Sequence, residues 1–150
     1  ETFGNARLAM VGFGELEEDV KLQILEAHLS DRIHLRSEIA GSEAMQAFDA
    51  LVMPSRYEAM SYVMLEAAAA GLPMVLSDVG GASTVVKHGV NGLIVPNSDD
   101  SSELAEAMLT VSSPGRHQAM KTAAALRTNR FSLQRMVEET EAVYRKVACN

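Results

Sequence analysis

Cysteine is nearly absent from this 150-residue chain: the one present, Cys149, stands beside the C-terminal Asn150. No disulfide framework and no cysteine-rich zinc site can form within one chain, and catalytic thiol chemistry is not expected. No apolar run reaches the roughly 18 residues that a membrane helix needs. Residues Glu1 to Asn5 carry neither the basic start nor the apolar stretch of a signal peptide. A cytoplasmic setting is therefore expected, with peripheral attachment to the inner face of the membrane left open. Positive charge is also scarce, with 13 Lys and Arg against 20 Asp and Glu and a net charge of −7. Such a chain repels nucleic acid, and no basic run with interleaved aromatics offsets this, so nucleic acid is not the expected partner. A small phosphorylated ligand stays possible, because amides at a helix start hold phosphate oxygens whatever the net charge.

Several catalytic signatures are missing too. The four histidines, His28, His34, His88 and His117, have neither His-x3-His nor His-Glu-x-x-His spacing, so no metal site is expected. There is no Gly-x-Ser-x-Gly elbow for an α/β-hydrolase. A receiver-type signalling domain would want an acid at the end of a central strand, whereas Asp49 precedes its strand. No internal repeat, low-complexity segment or long linker divides the chain, and one domain is expected.

With 47% apolar residues the sequence is that of a soluble globular domain. Short apolar runs predict strands at Ala6 to Val11, Arg32 to Leu35, Ala50 to Met53, Met74 to Leu76 and Gly92 to Val95. Helical patterns fall between them, near Leu16 to Leu29, Gly41 to Phe48, Ser61 to Ala70 and Ser83 to His88. This alternation predicts an α/β fold, a doubly wound parallel sheet of Rossmann-like type whose short apolar strands are covered on both faces. Ligands of such sheets sit at the carboxyl ends of the strands. From Ser98 onward only helices follow. Ser98 to Ser102 supplies N-cap chemistry before Glu103 to Val111, and Ser113-Pro114 reads as an N-cap with proline at the first helical position. A last helix from Leu133 to Val147 carries Met136, Val137, Thr140, Val143, Tyr144 and Val147 as one stripe, expected to pack on something.

The segment from Pro54 to Pro73 is the most informative. Between Ala59 and Ser77 the only charged side chain is Glu66, in a helix otherwise apolar or small on every face. That composition predicts a buried helix, in which a carboxylate needs hydrogen-bond donors or a raised pKa. A glutamate reaching out of a partly exposed helix is the alternative. Glu58, just past the strand at Ala50 to Met53, lies at the ligand-binding rim. Eight helical residues rise about 12 Å, so a Glu-x7-Glu pair with helix-start amides between could span a ligand with hydroxyls at both ends and phosphate in the middle. A nucleotide-sugar has that layout.

The run PSRYEAMSYVMLEAAAAGLPMVLSDVGG, followed by HGVNGLIVP and the final FSLQRMVEETEAVY, resembles the donor-binding C-terminal half of the retaining, GT-B-fold glycosyltransferases of family 4 (group 1). The resemblance extends from about Leu8 to Lys146. It implies that Glu58 positions donor-sugar hydroxyls as the catalytic carboxylate, that Glu66 binds the ribose hydroxyls, and that the Ala59 to Val63 segment lines the donor, the amides of Ser61, Tyr62 and Val63 holding the diphosphate. It sets Arg36, Ser37 and Glu38 near the base. The donor would be a UDP- or GDP-hexose, with no metal and no cofactor, and the work would be hexose transfer to a sugar or lipid-linked acceptor in glycan or polysaccharide biosynthesis. Two departures stand out: Glu58-Ala59-Met60-Ser61 replaces the common Glu-Gly-Phe-Gly, and Thr84 stands where Gly-Gly-x-x-Glu has its acid. By the same resemblance the acceptor domain is missing, as are the donor domain's opening strand and the Lys- and Arg-bearing segment that follows it. The chain is therefore expected to be a fragment, inactive alone. A sugar-nucleotide 2-epimerase and a non-catalytic nucleotide-binding module that works with a partner chain remain alternatives.

Gly12-Phe13-Gly14 follows a strand and opens a helix, but Glu17 replaces the third glycine of a dinucleotide fingerprint, and Glu15, Glu17, Glu18 and Asp19 would crowd a pyrophosphate. Gly12 and Gly14 are read instead as shaping the cleft edge. His88 is expected at a helix end, favouring the dipole. Arg56 is the one basic residue at the rim, balancing phosphate or simply solvated. The nine methionines read as core filler.

Overall fold

In a computed structural model, which describes residues 6–148, the chain divides into two compact units, Glu1–Ala47 and Phe48–Asn150. The readings placed on Glu1 to Asn5 and on Cys149 lie outside the described residues. In the first unit, β1 (Leu8–Val11) and β2 (Ile33–Arg36) pair in parallel, Leu8 opposite Ile33 and Val11 opposite Arg36. Between them runs α1 (Glu17–Glu26), and after them α2 (Gly41–Ala44) continues into a 3-10 turn at Met45–Ala47. Glu17, Glu18 and Asp19 occupy the first turn of α1, where the helix dipole favours acids. Lys21 bridges Glu17 at 2.8 Å and Glu18 at 2.6 Å, and these bonds raise its ammonium pKa. The helix stops at Glu26 rather than Leu29, because His28 adopts the left-handed φ of 55°. The His28 and Leu29 amides then close back on the Leu25 and Ile24 carbonyls in a Schellman-type end. The expectation of strands shielded on both faces fails here. Met10 and Val11 are exposed, since a two-stranded sheet has little with which to cover itself.

The second unit is built on a three-stranded parallel sheet ordered β3-β4-β5, from β3 (Leu51–Met53), β4 (Met74–Ser77) and β5 (Gly92–Val95). All four residues of the central β4 are buried, as a strand with neighbours on both edges and helices on its faces demands. Around it stand α3 (Tyr62–Ala69), α4 (Ala82–Val85), α5 (Ser102–Ser112) and α6 (Pro114–Ala125). Val75 and Val95 of the sheet, Ala107 and Val111 of α5 and Met120 of α6 form one apolar cluster. Pro114 opens α6 after Ser113, as its sequence predicts, although the Ser113 hydroxyl donates back to the Thr110 carbonyl at 2.9 Å instead of capping α6. At α5 the Ser102 amide donates to Asp100 Oδ1 at 2.9 Å, a bond that lowers the Asp100 pKa.

The His-Gly-Val-Asn-Gly stretch is architectural. The buried Asn91 side chain accepts the Lys87 amide at 2.7 Å and donates to the Val85 carbonyl at 3.2 Å. A Cβ on Gly92 would overlap the Met74 carbonyl oxygen, so only glycine lets β5 approach β4 there. His88 is not at a helix end, since α4 stops at Val85; its Nδ1 accepts the Ile94 amide at 3.0 Å. After a 3-10 turn at Thr128–Phe131, α7 (Leu133–Ala148) completes the unit. Its apolar stripe is present, but no residue of α7 is buried. Met64, Met74 and Met120 fill the core as expected, whereas Met60 and Met136 are exposed. No described helix is long and apolar enough to cross a membrane.

Because β3, β4 and β5 are parallel, their carboxyl ends share one edge. The loops after them, residues 54–61, 78–81 and 96–101, meet there.

Candidate functional site

The first of these loops holds Glu58. Ser55 Oγ donates to Glu58 Oε1 at 3.2 Å, which fixes one carboxylate oxygen from three residues away and leaves Glu58 half-buried. A cleft of about 590 Å³ opens beside it, lined by Arg56, Tyr57, Glu58, Ala59, Asp78, Val79, Gly80 and Asn97. The floor is main chain against main chain. A Cβ on Gly80 would overlap the Glu58 carbonyl oxygen and lie 2.9 Å from that of Ala59. Gly81, at a left-handed φ of 82°, faces Ala59 and the Met60 sulfur. Arg56, at the rim, is half open to solvent and pairs through Nη2 with Asp99 Oδ1.

Ser61 is the N-cap of α3, its hydroxyl accepting the Val63 amide at 3.2 Å. The Val63 N–H, expected to face a diphosphate, is thus already engaged. The Ser61 and Tyr62 amides have no acceptor among the described residues. One helical length on, the expectation that Glu66 sits in a helix buried on every face is overturned. Only Met64, Ala67 and Ala68 of α3 are buried, Tyr62 and Val63 are exposed, and Glu66 is half-buried with no side-chain hydrogen bond among the described residues. The helix buries one face because alanine fits either environment, so its apolar composition did not require burial all round. Its carboxylate is available to a ligand.

Glu58, Ala59, Met60, Ser61, Tyr62, Val63 and Glu66 are thus brought together on one loop and helix of the second unit. Gly12, Gly14, Arg36, Ser37 and Glu38 belong to the first unit, where β1 and β2 end side by side. The Gly12 amide donates to the Arg36 carbonyl at 2.8 Å, and Gly12 has a φ of 142° that side chains rarely adopt. A bond from its own amide, and then the one it accepts from the Ser37 amide at 3.0 Å, hold the Glu38 pKa below the ordinary carboxylate value. Gly14 differs from Gly12, since a Cβ there would meet nothing within 4 Å and its φ is ordinary. Gly14→Ala is expected to shift stability by less than about 0.5 kcal/mol, read as an unchanged midpoint in urea unfolding. Among the described residues no group of three or more His, Cys, Asp or Glu side chains is arranged to hold a metal ion.

Residues 1–113 match the sequence profile of the family described as "Glycosyl transferases group 1". The chain belongs to this family. Among group 1 glycosyl transferases and their structural kin, two curated relatives are D-inositol 3-phosphate glycosyltransferases. That of Kribbella flavida is 36% identical over 102 residues, 67% of this chain and 24% of the relative. That of Streptomyces bingchenggensis is 31% identical over 134 residues, 86% of this chain and 30% of the relative. The chain thus spans less than a third of the length of these relatives. The solved structure of Anabaena Alr3699/HepE in complex with UDP-glucose is 27% identical, with a TM-score of 0.73 over 93% of this chain and 42% of that one. Sucrose-phosphate synthase from Thermosynechococcus elongatus, at 24% identity and a TM-score of 0.80, shares the fold, that of GT-B glycosyltransferases.

In this group 1 glycosyl transferase chain, three residues at the candidate site escape a reading of local patterns. Ser55 sits in a plain Pro-Ser-Arg turn, and Asn97 and Asp99 lie more than 40 positions from the segment they bind. A signal existed: polar residues just past a strand of a parallel sheet belong to its ligand-binding edge.

Proposed function

We propose that this chain is the donor-binding part of a retaining glycosyltransferase, which transfers a hexose from a nucleoside-diphosphate sugar to an acceptor hydroxyl in glycan or polysaccharide biosynthesis. The observation that carries the reading is the loop and helix from Ser55 to Glu66 in a chain of this family. One carboxylate borders the cleft, and beyond it come two amides at the helix start and a second carboxylate, none of which has a hydrogen-bond partner among the described residues. Glu58 orients hydroxyls of the sugar, and the Ser61 and Tyr62 amides, joined by that of Val63 once the Ser61 hydroxyl yields it, hold the diphosphate. Glu66 accepts from the ribose. Charge grows on the diphosphate as the bond to the sugar breaks, and preorganised donors aimed at such charge are usually the largest catalytic term. On this reading no metal ion is needed at the donor, and the acceptor hydroxyl enters on the face that the leaving group vacates. The UDP-glucose complex of HepE, a relative above a quarter identical, supports a nucleotide-sugar as the ligand class.

The acceptor, a sugar or a lipid-linked one, is assigned to the remainder of a longer protein, because the relatives extend well beyond the matched region. Catalysis is placed on the cytoplasmic side, at most peripheral to the membrane. Taken alone, the 150-residue chain should bind donor and transfer little. The test is saturation-transfer NMR with UDP, GDP, UDP-glucose and GDP-mannose, with and without EDTA. One base should be preferred, with ribose and hexose signals that the chelator leaves unchanged. A chain folded by circular dichroism that engages none of the four overturns the reading.

A further inference from the structure

The loop that carries Glu58 is packed at one end only, where Glu58 and Ala59 meet Gly80 and Gly81. From Pro54 to Met60 it contains no helix or strand, and a cavity of about 180 Å³ lies alongside, lined by Pro54, Arg56, Ser77, Asn97, Asp99 and Leu104 among others. Packing therefore does not fix the Arg56 end of the loop. Two bonds from the loop after β5 hold it instead, both at Arg56. Asn97 Nδ2 donates to the Arg56 carbonyl at 2.7 Å, and Asp99 Oδ1 pairs with the Arg56 guanidinium. Main chain and side chain of one residue are thus both tied. Its neighbour Ser55 makes the hydrogen bond to the Glu58 carboxylate. A chain of contacts runs from Asn97 and Asp99, through Arg56 and Ser55, to Glu58.

The ion pair is exposed, with Asp99 98% and Arg56 51% open to solvent. Such pairs contribute little to folding. A polar tie of low structural worth beside a carboxylate at a cleft has its effect on where that carboxylate sits. We infer that Asn97 and Asp99 are positioning residues for Glu58, and that through it they set how tightly the sugar, as distinct from the nucleotide, is held. This deepens the donor-binding reading and rests on it.

The experiment compares the wild-type chain with Asn97→Ala, Asp99→Ala, Glu58→Gln and the double variant Asn97→Ala/Glu58→Gln. Calorimetric titration with UDP and UDP-glucose, and with GDP and GDP-mannose, gives the first readout. Asn97→Ala should weaken the nucleotide-sugar about three- to tenfold, the span of one ordinary hydrogen bond, with the nucleoside diphosphate unchanged. In the Glu58→Gln background the same substitution should cost less than about twofold, since residues acting as one unit are not additive. Equal weakening of both ligands, or full additivity with Glu58→Gln, overturns the inference. A second readout needs no ligand: 15N order parameters of the Arg56 to Ala59 amides should fall in Asn97→Ala and Asp99→Ala while the thermal midpoint stays in place. Unchanged order parameters overturn the tie whatever the donor proves to be. A wild-type chain that binds no donor while the variants loosen this loop overturns the donor reading and leaves the tie standing as a loop clamp only.

Discussion

Exchange of Glu66 for glutamine is expected to weaken nucleoside diphosphate binding about ten- to a hundredfold and to leave the fold intact. Hydrogen bonds to a charged group contribute about 1.5–3 kcal/mol, and every 1.4 kcal/mol, roughly, is a factor of ten in Kd. A carboxylate accepts from two vicinal ribose hydroxyls at once. Glutamine keeps one acceptor oxygen and turns an NH2 toward the other, so at least one charged bond is lost. Stability should be nearly untouched, because the Glu66 carboxylate is half-buried and bonds to no described side chain or amide. No partner is orphaned by its change, and substitutions of that kind usually stay within about 0.5 kcal/mol. Titration calorimetry with UDP or GDP, paired with a thermal melt, reads both quantities. An unaltered Kd would remove Glu66 from the site, and a collapsed melting point would make it a structural residue.

All five strands were legible because each is a short apolar run bounded by turn residues, and the parallel arrangement followed from their alternation with helical patterns. What stayed hidden was set by tertiary contact. The pattern from Ser83 to His88 predicts a helix that ends instead at Val85, since His88 is drawn to the Ile94 amide and Asn91 to the Lys87 amide. Glu66 was misjudged because four alanines follow it, and alanine is at home on either face of a helix. Arg56 has plausible local roles in sequence, yet its partners Asn97 and Asp99 are brought to it only when β5 pairs with β4. The amphipathic stripe of α7 was read correctly as a pattern, and its expected partner is absent from the described residues. Gly80-Gly81 was visible as a motif, but the sequence gives no hint of which backbone approaches it.

That approach makes Gly80→Ala the substitution with the greatest expected effect on the site that does not alter a binding group. The added methyl meets the carbonyl oxygens of Glu58 and Ala59 and, at 3.1 Å, the Ala59 Cα. All three are main-chain atoms, so no rotamer change relieves the overlap. One side of the contact must move. The 78–81 turn is anchored to the sheet: the Asp78 amide donates to Val95 at 2.8 Å, the Val79 amide to Ser77 at 2.9 Å and the Ala82 amide to Val79 at 3.1 Å. The Glu58 loop, held largely through Arg56 and lying beside a cavity, is the softer partner and should be pushed outward. Overpacking of this kind costs about 1–3 kcal/mol, so the unfolding midpoint should drop. Binding should change unevenly: affinity for UDP-glucose or GDP-mannose falls by at least about tenfold, an effect of roughly 1.4 kcal/mol, while UDP or GDP, which the proposed reading holds at α3 and Glu66, changes far less. Gly14→Ala, whose methyl meets nothing within 4 Å, serves as the matched control. Equal losses for nucleotide and nucleotide-sugar would mean that the turn supports the whole edge of the sheet. A selective loss of the sugar-bearing ligand would tie Gly80 to the placement of Glu58, through a contact made by main-chain atoms on both sides.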